Sequence, residues 1–151
     1  MTTQAKDSFA QQWEAFLDEQ GICYGKTPDD EELVYDLTFQ ASLPGILEYR
    51  VSVHVKSHTM YFEASIPIRH SDQDAVCALV NQQNVEHPVG LFQHDRRDGE
   101  LTWNHYLVLF EWRFPDKECL LKTLALTHQM IAQMCVALMA READQKGDGA
   151  I

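Results

Sequence analysis

The chain has 151 residues, 45% of them hydrophobic, with a mean hydropathy of -0.32. That suffices for one globular domain with a core of its own. Its formal net charge of -11, from 23 acids against 12 Lys and Arg, argues against nucleic acid or an anionic membrane as partner, because affinity for phosphate backbones comes mainly from Lys and Arg.

Residues 1–7 are polar and lack the basic start and apolar stretch of a signal peptide. They read as a flexible tail ahead of a single domain over 8–141. Ser8 caps a first helix, in which Phe9, Trp13, Phe16 and Leu17 recur at helical spacing and Gly21 supplies the stop. Residues 25–32, GKTPDDEE, read as a loop, with four consecutive acids. Leu33, Tyr35, Leu37 and Phe39 then alternate as a strand, and Leu43-Pro44-Gly45 is a turn. Two stronger strands follow over 47–56 and 60–69, each apolar on one side and polar on the other, joined at Ser57-His58. Ser71 and Asp74 resemble a capping box for a helix ending near Val85.

Pro88 and Gly90 permit a switch to strand, and a hairpin turns through Arg96-Arg97-Asp98-Gly99. The return strand, 101–110, runs apolar on both faces from Leu107 to Phe110, which implies a strand central or covered on both sides. The last helix, 116–141, is broadly apolar and spans roughly 39 Å, with a polar, flexible tail over 142–151. The expected fold is α+β, a two-layer sandwich with a five-stranded antiparallel sheet and helices on one face, in the order α-β-β-β-α-β-β-α. No uninterrupted apolar run approaches the ~20 residues that cross a bilayer, so the cytoplasm is the expected location.

Candidate chemistry is sparse. Cys23, Cys77, Cys119 and Cys135 show no CxxC spacing and read as free thiols. His54 and His58 alternate onto a wet strand face without a third metal ligand. His94 and His105 flank the hairpin and would approach if the strands pair, the one arrangement that points to an enzyme or a metal site. No phosphate loop or nucleophile signature accompanies them. Trp103 and Tyr106 on the return strand, and Leu124 and Met130 on the last helix, are either core or anchors for a partner, as is Leu101. The surplus apolar surface of the last helix argues for self-association.

The stretch 79–109 carries a resemblance. Asn81, Asn84, Pro88, Gly90, Phe92, Asp98, Gly99 and Leu101 match, in order, the helix end, break, strand and turn of the YbjN family of small bacterial proteins. The element order is similar to the type III secretion chaperone-like fold to which that family is assigned. The resemblance implies no catalytic residue and no cofactor, and its usual label, sensory transduction regulator, names no mechanism. The expected function is therefore a non-enzymatic module that binds another protein, as a homodimer joined through the helix 74–85 and the strand 101–110. The wet sheet face or the first helix would receive the partner. A secretion chaperone holding an effector segment is the second reading, and an enzyme or metal protein using His94 and His105 the third.

Overall fold

A computed structural model describes residues 2–43 and 46–148. Three helices, α1 (Thr2–Glu19), α2 (Gln73–Glu86) and α3 (Lys117–Asp148), accompany six strands: β1 (Cys23–Thr27), β2 (Leu33–Leu43), β3 (Ile46–Lys56), β4 (Thr59–Ser65), β5 (Leu91–Asp95) and β6 (Glu100–Val108). All pair antiparallel in one sheet of order β1-β2-β3-β4-β6-β5. The expected α+β class with helices and one antiparallel sheet is therefore observed. The strand count is six rather than five, and the order is α-β-β-β-β-α-β-β-α.

The extra strand is β1, which the sequence hides inside an apparent loop. Its pattern is mostly exposed and holds Gly25 and Lys26, so it carries no alternation to read. Backbone pairing with β2, from Cys23 opposite Thr38 to Thr27 opposite Val34, makes it a strand. The chain reaches it through a tight helix exit: Gly21, at φ +68°, donates to the Asp18 carbonyl while Ile22 donates to Leu17, a Schellman pair that a left-handed glycine permits.

Other boundaries move for local reasons. β4 ends at Ser65, short of Arg69, because Pro67 has no amide to give the ladder. The cap of α2 is Asp72 rather than Ser71, its carboxylate accepting from the amides of Asp74 and Ala75 at 3.1 Å. α1 begins at Thr2, where Lys6 reaches the carbonyls of Asp29 and Asp30, and α3 runs to Asp148 through good helix formers such as Ala140 and Arg141. Helix thus covers most of both segments read as tails. Of the predicted turn, Pro44 and Gly45 lie outside the described residues.

Parity along the strands separates two faces. Tyr35, Leu37, Val51, Val53, Phe62 and Trp103 are fully buried and share one side by register. Onto that side α1 brings Trp13, edge-on to Tyr35, α2 meets Phe92 and His94 of β5, and α3 sets His128 beside Tyr49. Asn84, from the predicted helix-exit motif, works as a strand substitute: its amide donates to the Phe92 carbonyl at 3.0 Å and accepts from the Phe92 amide at 2.8 Å. Gly90 sits at φ +76° under the Trp103 indole, where a Cβ would fall 2.6 Å from Cε2. In α3, the stretch Lys117–Glu142 is by length and mean hydropathy (1.3) apolar enough to cross a membrane. Lys122 and His128 divide it, so it holds no uninterrupted apolar run of that length. In the fold Leu120, Met130, Ile131, Met134, Cys135 and Leu138 are buried.

Candidate protein-contact face

The second face of the sheet, opposite the helices, carries the side chains at even positions of β2, β3 and β6 and at odd positions of β4. Val34, His54, Tyr61 and Tyr106 lie across four strands in one row, and Asp36, Ser52, Glu63 and Asn104 in the next. The first row is aromatic. Tyr61 and Tyr106 stack with ring centroids 4.5 Å apart at 20°, and His54 lies 6.0 Å from Tyr61. The imidazole Nδ1 of His54 is 3.1 Å from Glu32 Oε1, at the start of the β1–β2 side of the face.

The second row is an array of acceptors. Ser52 Oγ donates to Asp36 at 2.9 Å. Tyr61 Oη lies between Glu63 Oε2, at 2.8 Å, and Asn104 Oδ1. The Asn104 orientation is set from behind, since its Nδ2 donates to the Leu91 carbonyl and to Thr102 Oγ1. Burial, together with the bond to the Glu63 carboxylate, raises the Tyr61 phenol above its ordinary value. The hydroxyl therefore stays protonated at any physiological pH. A concavity of about 400 Å³ above the aromatic row is lined by residues that include Glu32, His54, Tyr61, Glu63 and Tyr106.

At the β5–β6 end the face turns apolar. Tyr106 is 62% exposed, Val108 90% and Phe110 74%, and Leu91, opposite Asn104, is half exposed. Of the two alternatives expected for the strand with the apolar run 107–110, a central place in the sheet is observed and cover on both sides is not. β6 is central in the sheet, but only Leu107 and Leu109 point toward the helices. The chain then leaves through Glu111 and Trp112 in the left-handed region, φ 41° and 64°, and Trp112 lies edge-on to Phe9 of α1.

Of the five residues marked as contacts, Leu101, Trp103 and Met130 are core, at 4%, 0% and 1% exposure. Strand parity is the reason: positions 101 and 103 face the helices, and 106 faces outward. Leu124 is partly buried against the core. Tyr106 alone is exposed, with one ring face on Tyr61. β4 and β5 occupy both sides of β6 from Thr102 to Asn104, while the β5 side of residues 105–108 pairs with no strand among the described residues. Reading the face from sequence required the β3–β4–β6 register, which no local pattern supplies. His54 had its acidic neighbour, Glu32, 22 positions away.

The structure does not bring His94 and His105 together. His94 stands opposite Leu101, four residues from His105 along β6, roughly 13 Å, and Trp103 stacks on His105 between them at 5.5 Å. Burial lowers the His105 pKa. His94 Nδ1 instead meets Cys77 Sγ at 3.5 Å, a pair the sequence reading missed. Among the described residues no group of three His, Cys, Asp or Glu could hold a metal. No family model, no curated protein and no solved structure matches this chain.

Proposed function

We propose that the protein is a non-enzymatic, YbjN-like module of the cytoplasm, built as a two-layer sandwich whose uncovered sheet face receives another protein. The supporting observation is the exposed, partly apolar strip around Tyr106 and Val108 on a face that none of the three helices covers. Trp and Tyr dominate interface hot spots, and single exposed aromatics matter most where apolar neighbours exclude water around them. Self-association, in this proposal, uses α3. Leu121, Val136 and Met139 are exposed there, with Ala125, His128 and Ala132 between them at three- or four-residue steps. That spacing makes one stripe along a helix.

The test is a photocrosslinking amino acid placed at Val108, with the same residue at Glu118 on α3 as control. Adducts to another protein from position 108 that vanish with Tyr106→Ser support the reading. Adducts that persist in Tyr106→Ser, or that form only from position 118, overturn it. For the dimer, light scattering on the wild type and on Val136→Glu with Met139→Glu decides. A dimer that becomes a monomer of unchanged melting temperature is expected, and a wild-type monomer rejects it.

A further inference from the structure

The open face has more hydrogen-bond acceptors than donors at one point. The Tyr61 hydroxyl owns a single proton, yet two acceptors lie within reach of it, Glu63 Oε2 and Asn104 Oδ1. Asn104 is only 4% exposed, and its amide nitrogen is already committed to Leu91 and Thr102. Whichever acceptor Tyr61 serves, the other oxygen is left facing the same spot without that proton. A buried acceptor without a donor is costly, so the Tyr61 proton goes to Asn104, and the partly exposed Glu63 carboxylate is left to a group that brings donors and positive charge. Beside it stands the Tyr61–Tyr106 stack, whose outer ring is exposed.

We propose that this spot seats an arginine side chain from an extended segment of the partner. The guanidinium is planar and carries five donors in a fixed fork. It can lie against the Tyr106 ring while donating to the Glu63 carboxylate, combining a cation–π contact with charge-assisted hydrogen bonds. An ammonium offers the charge without the fork. The chain's net charge of -11 favours a basic partner throughout the approach. Lys56 and Arg50 of β3 occupy the flanking rows by register, and neither is ion-paired to Glu63 among the described residues. Glu63 makes no ion pair of its own among the described residues, although Lys56 lines the same concavity and Arg96 and Arg97 line the next one.

The inference rests on the proposed function of this face, and the experiment separates the two. The probe is a labelled octapeptide with Arg and Ser in alternation, compared with versions carrying Lys or citrulline in place of Arg, at near-physiological salt. The Arg peptide binds the wild type, citrulline abolishes binding, and Lys weakens it several-fold. Glu63→Gln and Tyr106→Ala each weaken it about tenfold, while Glu118→Gln leaves it unchanged. Amide and side-chain shifts on the unaltered protein centre on Tyr61, Glu63 and Asn104, which needs no variant to fold. Absence of binding, equal affinity for Arg and Lys, or shifts centred elsewhere overturns the inference. If the crosslink from position 108 is lost in Tyr106→Ser but survives Glu63→Gln, the contact face stands and the arginine seat falls. Loss of the crosslink requirement with retained peptide binding gives the reverse.

Discussion

Replacing Gly90 with alanine tests how the helix layer is locked to the sheet. Two costs add. Gly90 has φ +76°, and a side chain in the left-handed region costs roughly 1–2 kcal/mol. The new Cβ would also fall 2.6 Å from Trp103 Cε2 and 2.9 Å from Nε1. Trp103 is fully buried, so the indole has no room to withdraw, and overpacking of a filled core costs roughly 1–3 kcal/mol. The sum is about 2–5 kcal/mol, and in a protein of this size each kcal/mol lowers the melting temperature by about 2–4 °C. A fall of roughly 10 °C is expected in thermal unfolding followed by circular dichroism. Gly21→Ala isolates the first cost, since φ is +68° and nothing lies within 4 Å of its Cβ. Gly25→Ala is a second reference, without positive φ or a near neighbour. If Gly90→Ala and Gly21→Ala destabilise equally, the close approach to Trp103 does not hold this part of the fold. The reasoning then fails.

Further substitutions probe the remaining contacts. Asn84→Ala removes both hydrogen bonds to the Phe92 backbone; a loss of about 1–3 kcal/mol is expected, with faster amide exchange confined first to β5, and uniform exchange would contradict it. Met130→Glu places an unpaired charge where the side chain is 1% exposed, so a loss on the order of 5 kcal/mol is expected in urea titration; a stable, monodisperse variant would show that the helix is not buried. Iodoacetamide should modify Cys23 and Cys119, which are exposed, and spare Cys135 until denaturant is added, because burial lifts that thiol to about 11. Asp95 is held down to about 2, chiefly by its hydrogen bonds from Arg97. A lowered carboxylate pKa contributes stability that is present above the unfolded value near 3.9 and lost as pH falls through about 2. The stability gap between wild type and Asp95→Asn should therefore be full at pH 7 and close toward pH 2; a gap independent of pH would rule out the ion pair as its source.

What the sequence revealed depended on how local each signal is. The strands with Val51, Val53 and Val55, or Met60, Phe62 and Ala64, announce themselves because one face is greasy and the period is two. Helix α1 is equally plain from Phe9, Trp13, Phe16 and Leu17, all buried. β1 has no such signature, being an edge strand made by its neighbour's backbone. The aromatic row of His54, Tyr61 and Tyr106 is assembled from three strands, and its alignment depends on register across 52 residues of chain. The run of Leu107, Val108, Leu109 and Phe110 misled for a different reason. A continuous apolar run looks like a covered strand, yet here half of it faces outward. Hydrophobicity reports what gains from burial, whoever provides the cover.

That last point bears on what covers the open face. Two copies of this chain meeting face to face would bring Glu32, Asp36 and Glu63 of one against the same acids of the other. Like charges in a desolvated contact are strongly unfavourable, and rows of carboxylates removed from water without cations carry a cost of several kcal/mol each. The aromatic row alone does not offset that. The outer stripe of α3 has no such difficulty, since Leu121, Ala125, His128, Ala132, Val136 and Met139 include no acid. In the proposed assembly, homotypic contact therefore uses the helix, and the sheet face is left to a partner of opposite charge. Adding one charge discriminates the two surfaces: Ser52→Arg should raise self-association through the face by offsetting Asp36 and Glu63, and should weaken the basic octapeptide. If the variant instead binds that peptide more tightly, the acids of this face do not govern its choice of partner.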